Sequence, residues 1–137
     1  PGGEPGWSFG AEKIEYDPDN NRACLADAEG IRFIHDKPEI EIRAGVVKLD
    51  LESGNVDFED RVTVKSKQGP SFSAKGATWD PGPKKFRAYG DIRYNSGSSE
   101  IFGDEIEIDL ELETARVKGN VRFRSPALPG LKGGFAR

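Results

Sequence analysis

Apolar and polar residues alternate along most of this chain, but the alternation slips at regular intervals. In the stretches FGAEKIEYD, IRAGVVKLD, FSAKGATWD and IFGDEIEID, which end at Asp17, Asp50, Asp80 and Asp109, apolar or small residues fall at positions one, three, six and eight. The switch of parity between positions three and six recurs in all four. Side chains on a strand alternate between faces, so a strand that keeps one face inside can do this only through a bulge or sharp bend. The small residues at position three, Ala11, Ala44, Ala74 and Gly103, suit such a corner. The stretches VDFEDRVTV (56–64), FRAYGDIRY (86–94), ARVKGNVRF (115–123) and, more loosely, LADAEGIRF (25–33) keep one parity throughout. That is the pattern of antiparallel strands with one buried and one wet face.

The closing aspartates are 33, 30 and 29 residues apart, so the pattern repeats with a period near 30. Such a period marks one supersecondary unit stacked on copies of itself, because a single copy cannot bury its own apolar face. The joints Asp17-Pro18-Asp19-Asn20, Glu52-Ser53-Gly54-Asn55 and Asp80-Pro81-Gly82-Pro83 are turn chemistry, and each closing aspartate is expected to open its turn by accepting backbone hydrogen bonds. No stretch carries a helical period; residues 106–113 alternate strictly. The expected fold is all-β: a twisted antiparallel β-jellyroll built from four ~30-residue repeats, with about 12–16 short strands and two layers closing over each other. A single-stacked β-solenoid is the competing arrangement. Residues 1–6 are expected to be a flexible lead, 7–124 a single jellyroll domain, and 125–137, rich in proline and glycine, a flexible tail.

Composition narrows the function by exclusion. Charged residues make up 32% of the chain, but both signs are interspersed and the net charge is −4. A nucleic-acid partner would need a clustered basic face, so none is expected. The one cysteine, Cys24, permits no internal disulfide, and beside Leu25 it is expected to be a small buried hydrophobe. His35 is the only histidine, and no nucleophile motif accompanies it, so no catalytic residues are assigned. Asp17, Asp19 and Asn21 imitate the start of a calcium loop, but Arg22 and Ala28 stand where glycine and glutamate are required. No glycine-rich phosphate loop opens a helix, so neither cofactor nor metal is expected.

What remains is the apolar interior, which mixes large and small side chains. Ile14, Tyr16, Phe33, Leu49, Phe58, Trp79, Phe86, Tyr94, Ile108 and Phe123 are its candidate lipid-contacting residues. They form either a packed core or an incompletely closed groove for acyl chains, each buried CH₂ contributing about 0.8 kcal/mol. The outermost strands, near Trp7 and Phe9 at one end and Val117 and Val121 at the other, are expected to pair with neighbouring proteins by strand addition.

The units closing in Ala11…Tyr16-Asp17, Ala44…Leu49-Asp50 and Ala74…Trp79-Asp80, with Gly90-Asp91-Ile92-Arg93-Tyr94 and Gly119-Asn120-Val121-Arg122-Phe123, resemble those of the periplasmic lipopolysaccharide-transport proteins of the LptA/LptC (OstA-like) group. The resemblance spans residues 7–123. It implies a twisted jellyroll that takes lipid A acyl chains in its interior. It also implies edge-strand pairing with neighbouring jellyrolls and with an inner-membrane transporter complex, where ATP is hydrolysed. The LptC-like member is favoured, in the periplasm and attached to the inner membrane. The chain has no methionine and no run of 18 apolar residues, which fits an N-terminal anchor absent from this stretch; a soluble LptA-like bridge stays open.

Overall fold

Where the structure describes them, the alternating stretches become strands apart from the corner residues 60–61, Lys75 and 119–121. The structure, a computed structural model, describes residues 6–34, 37–67, 69–109 and 114–126. Among these residues there are eleven strands and no helix: β1 (Trp7–Asp17), β2 (Arg22–Ile34), β3 (Lys37–Asp50), β4 (Val56–Glu59), β5 (Val62–Ser66), β6 (Ser71–Ala74), β7 (Gly76–Asp80), β8 (Lys85–Ser96), β9 (Ser99–Asp109), β10 (Thr114–Lys118) and β11 (Arg122–Arg124). Every pairing is antiparallel. The strands are fewer than the expected 12–16 because β1, β2, β3, β8 and β9 run on through the bend as single strands of 11 to 14 residues. A bulge bends a ladder without ending it.

Each long strand contributes one half to each of two layers. In the first layer, cross-strand pairing places Ile14, Leu25, Val47, Phe58, Ala77, Ala88, Ile106 and Val117 side by side. A parallel row joins Tyr16, Ala23, Leu49, Val56, Trp79, Phe86, Ile108 and Ala115. In the second layer the row is Phe9, Gly30, Ile42, Val64, Phe72, Tyr94, Ile101 and Phe123. No charged residue interrupts any of these three rows.

The parity switch is the corner between the layers. The four expected slip points lie at Glu12, Gly45, Lys75 and Asp104. Opposite three of them stand consecutive residues with left-handed backbone: Asp60 and Arg61, Gly90 and Asp91, Gly119 and Asn120. The Gly45 N–H donates to Asp60 O at 3.1 Å, the Lys75 N–H to Tyr89 O and Gly90 O at 3.0 Å, and the Asp104 N–H to Gly119 O at 2.9 Å. The corner thus satisfies its own backbone groups while every chain turns through it. Glycine, aspartate and asparagine tolerate this conformation, which explains the G-[ND] pairs.

The first copy is built differently. β2 turns its corner with one left-handed residue, Asp27, so only two residues separate the inward Leu25 and Ala28. The other copies use three, as between Phe58 and Val62. The segment in register is therefore Ala23, Leu25, Ala28 and Gly30, and the looser alignment starting at Leu25 is displaced by two residues before the corner and three after it. The correction carries Phe33 past the common row, to the β2–β3 hairpin opposite Pro38.

The layers meet through rings. Phe58, which is fully buried, lies 5.6 Å from Phe86, 5.8 Å from Trp7 and 6.3 Å from Phe9 between ring centres. Phe72 of the second layer reaches Phe86 of the first at 6.0 Å. Among the described residues no polar or charged side chain is buried, and the core from Leu25 to Ile106 is entirely apolar. Burying one such Leu, Ile, Val or Phe contributes about 1.5–3 kcal/mol.

Candidate functional site

Apart from Phe33, the candidate residues converge on the inner face, which is not equally covered along its length. Phe58, Trp79 and Phe86 lie in the buried middle, while Leu49, Tyr94 and Ile108 pack against it partly covered. Ile14 and Tyr16 point inward with their rows yet are 57% and 58% exposed, and Phe123 is 50% exposed. The cause is topological. Among the described residues β1 pairs only with β2, and β10 and β11 pair only with β9, so inward residues at both edges have a described strand neighbour on one side alone.

Residues expected to mark the pairing edges divide in the same way. Trp7 and Phe9 stand on edge strand β1, but their side chains turn inward: they stack on each other at 5.4 Å, and Trp7 meets Trp79 edge-on at 6.0 Å. Val117, on β10, is partly buried against the core. Val121 lies in the break between β10 and β11 and is 49% exposed. His35 lies outside the described residues. Cys24 is half-buried on the outer face rather than a core residue, because its neighbours Ala23 and Leu25 take the inward positions.

Arg32 is the residue that alternation alone misplaces. The shortened β2 corner puts it beside Trp7 and Ile40 on the inward side, with its guanidinium 4.8 Å from the Trp79 ring centre and 5.8 Å from that of Trp7. The signal was available in the spacing of Leu25, Ala28 and Gly30. A guanidinium on an indole face sits comfortably at an apolar mouth, since its planar charge is attracted to the ring.

Near the β1 edge the outer face of the first layer carries a concavity of about 450 Å³, lined by the outward row Glu15, Cys24, Lys48 and Asp57. Asp17, Arg22 and Asp50 close its end, and the strand segments of Tyr16, Ala23 and Leu49 pass beneath it. The turns behind it behave as expected of the closing aspartates. Asp17 Oδ1 accepts from the Asp19 N–H at 3.1 Å, Asp17 Oδ2 from the Asn20 side-chain amide at 2.7 Å, Asp50 Oδ1 from the Glu52 N–H at 3.0 Å and Asp80 Oδ1 from the Gly82 N–H at 3.1 Å. The Asn20 amide holds the Asp17 carboxyl below its ordinary range, and the Ser53 and Glu52 N–H groups do the same for Asp50. The residues following Asp109 lie outside the described set. Among the described residues no three metal-ligating side chains cluster, and no helix is long and apolar enough to cross a membrane.

The pattern of an open-edged apolar roll matches a known family. A family model described as "Lipopolysaccharide-assembly, LptC-related" matches residues 1–125. The chain belongs to this LptC-related family. Its fold is also similar to the crystal structure of LptH, "the LptA homologous periplasmic component of the conserved lipopolysaccharide transport device from Pseudomonas aeruginosa", with a TM-score of 0.75 at 10% sequence identity. That match covers 91% of this chain and 97% of the other, and at such low identity it establishes the β-jellyroll. No curated protein matches the sequence. The LptC-related family is one of non-catalytic lipopolysaccharide-transport bridge proteins, so the family agrees with the expectation of a non-enzyme.

Proposed function

We propose that this LptC-related chain is a periplasmic carrier segment of a lipopolysaccharide bridge, attached to the inner membrane in the full-length protein. It takes lipid A acyl chains on its inner face and passes them to the next jellyroll. The observation that carries this is the apolar row that stays uninterrupted from Ile14 to Val117 while its neighbours Tyr16 and Phe123 emerge half-exposed at the two edges. An ordinary core would end in polar residues at its edges; this one ends in aromatic and branched side chains. Among the described residues the outer edges of β1 and of β10 and β11 have no strand partner, which supports docking of neighbouring jellyrolls by strand addition that would set their inner faces end to end.

Photo-crosslinking residues at Ile14, Tyr16 and Phe123, compared with outward-facing Glu15 and Lys48, test the proposal. Lipopolysaccharide adducts are expected at the first three positions only. Capture confined to the outward positions removes the carrier role and leaves a module whose business is strand pairing alone.

A further inference from the structure

Three arginines converge on one phenylalanine on the outer face of the second layer. Pairing places Arg93 of β8, Phe102 of β9 and Arg122 of β11 side by side, with Arg124 two residues further on. Their guanidinium carbons lie 5.4, 5.1 and 5.6 Å from the Phe102 ring centre. Glu100 neutralises Arg124, accepting from Nη2 at 2.6 Å and Nε at 3.2 Å. Arg93 and Arg122 have no carboxylate partner among the described residues; the ring is what they share.

Gathering two uncompensated positive charges costs free energy through their repulsion, so the arrangement calls for an anion. Stacking on an aromatic face holds a guanidinium flat and leaves its N–H edge free, a fork preorganised for bidentate contact with phosphate. Beside it runs a concavity of about 700 Å³, bordered by Arg93, Phe102, Asn120 and Arg122. Of its two acidic residues, Asp91 is paired with Lys75 Nζ at 3.4 Å, while Asp104 is held by the Asn120 side-chain amide at 2.8 Å and keeps its charge, leaving the two guanidiniums in excess. The opposite face of the same edge carries Val121 and Phe123, each about half exposed. Only one strand therefore separates exposed hydrocarbon from exposed guanidinium.

We propose that Arg93 and Arg122, held on Phe102, bind the phosphate groups of an acylated, phosphorylated sugar headgroup whose acyl chains lie against Val121 and Phe123. An acidic protein segment would answer the charge but leave the apolar side of β11 uncovered; a phosphorylated amphiphile answers both. This site rests on the carrier role above and adds to it a headgroup contact outside the roll.

The test titrates this chain with diphosphorylated hexa-acyl lipid A in detergent micelles, and with the same lipid after removal of both phosphates. The wild type should bind the phosphorylated form about tenfold or more tightly, and an Arg93→Gln/Arg122→Gln double variant should bind both forms equally. Circular dichroism checks that these exposed substitutions leave the fold intact, and an Arg93→Lys/Arg122→Lys variant should recover only part of the preference. Inorganic phosphate at the molar concentration of the lipid should leave binding unchanged; displacement by it would assign the site to free phosphate and overturn the headgroup contact. Equal binding of both lipids by the wild type overturns the headgroup contact while leaving the carrier role standing. Binding of neither lipid removes both. A change of oligomeric state in the Gln variant, with lipid preference intact, overturns the proposal in favour of an acidic protein partner.

Discussion

Phe58 and Phe123 occupy inward positions in the same kind of repeat, yet replacing them with alanine should have very different consequences. Phe58 is wholly covered and is held by rings from both layers, with Trp7, Phe9 and Phe86 all within 6.3 Å of its centre. Truncation there loses the transfer term and leaves a cavity that rigid aromatic neighbours cannot fill, about 3–5 kcal/mol in total. Phe123 is 50% exposed on a three-residue edge strand, so roughly half its transfer term is at stake and no closed cavity forms. That amounts to about 1 kcal/mol. With a urea dependence of about 2 kcal/mol per molar, Phe58→Ala should lower the unfolding midpoint by about 2 M and Phe123→Ala by about 0.5 M. Tryptophan fluorescence is a suitable probe because Trp7 touches Phe58 directly. Comparable shifts for the two variants would refute the distinction between packed middle and open edge. A small shift for Phe58 would show that the two layers do not close on each other.

Gly119 has a φ of +82°, and a Cβ there would stand 2.6 Å from Asp104 Oδ2, so Gly119→Val should destabilise by about 1–3 kcal/mol in a thermal melt. Gly10→Ala, with nothing within 4 Å of the added carbon, is the matched control and should change little. Stability should decline in acid. Asp17 and Asp50 are held below the ordinary carboxylate range by hydrogen bonds from their own turns; for Glu107, burial pushes the carboxyl up but is outweighed by Lys85 and Arg87. Groups lowered in the folded state stabilise it above their ordinary pKa values and lose that contribution as pH falls through the folded ones. The loss should therefore set in below about pH 4 and be absent between pH 6 and 8, as measured by midpoint against pH. Ile14→Ser and Tyr16→Ser should each cost no more than about 1 kcal/mol in a thermal melt, because both side chains are already more than half exposed, while reducing lipopolysaccharide capture.

The layers, the corner and the turns were legible because each rests on local chemistry. The flip between Ala74 and Ala77 announces a bend wherever it is read, and an aspartate before Pro-Gly reports its turn without any partner. What escaped depends on comparing strands. LADAEGIRF keeps an acceptable alternation whether it begins its row at Ala23 or at Leu25, and only pairing with β3 decides. That one ambiguity misplaced Arg32 and Phe33 together. The exposure of Ile14, Tyr16 and Phe123 was illegible for a different reason: alternation gives the direction of a side chain, whereas coverage depends on whether a strand has a second neighbour. Arg93, Phe102 and Arg122 are spread over 30 residues of sequence and meet only through two antiparallel pairings.

A packed middle and a carrier role are physically compatible, and magnitudes show why. The rings closing the inner face at the β1 edge are Trp7 and Phe9, which are only partly buried and stack chiefly on each other. Swinging both away from Phe58 and Trp79 forfeits at most the cost of deleting them, about 3–5 kcal/mol apiece. A single fourteen-carbon acyl chain laid in their place removes about a dozen CH₂ groups from water, worth about 10 kcal/mol. One chain therefore roughly offsets the displacement, and a lipid with several chains exceeds it. On the proposed carrier role, an empty roll would stay closed and a loaded one would open at β1 with the same residues, because a lipid of several chains would outweigh the contacts of the rings that shut the edge.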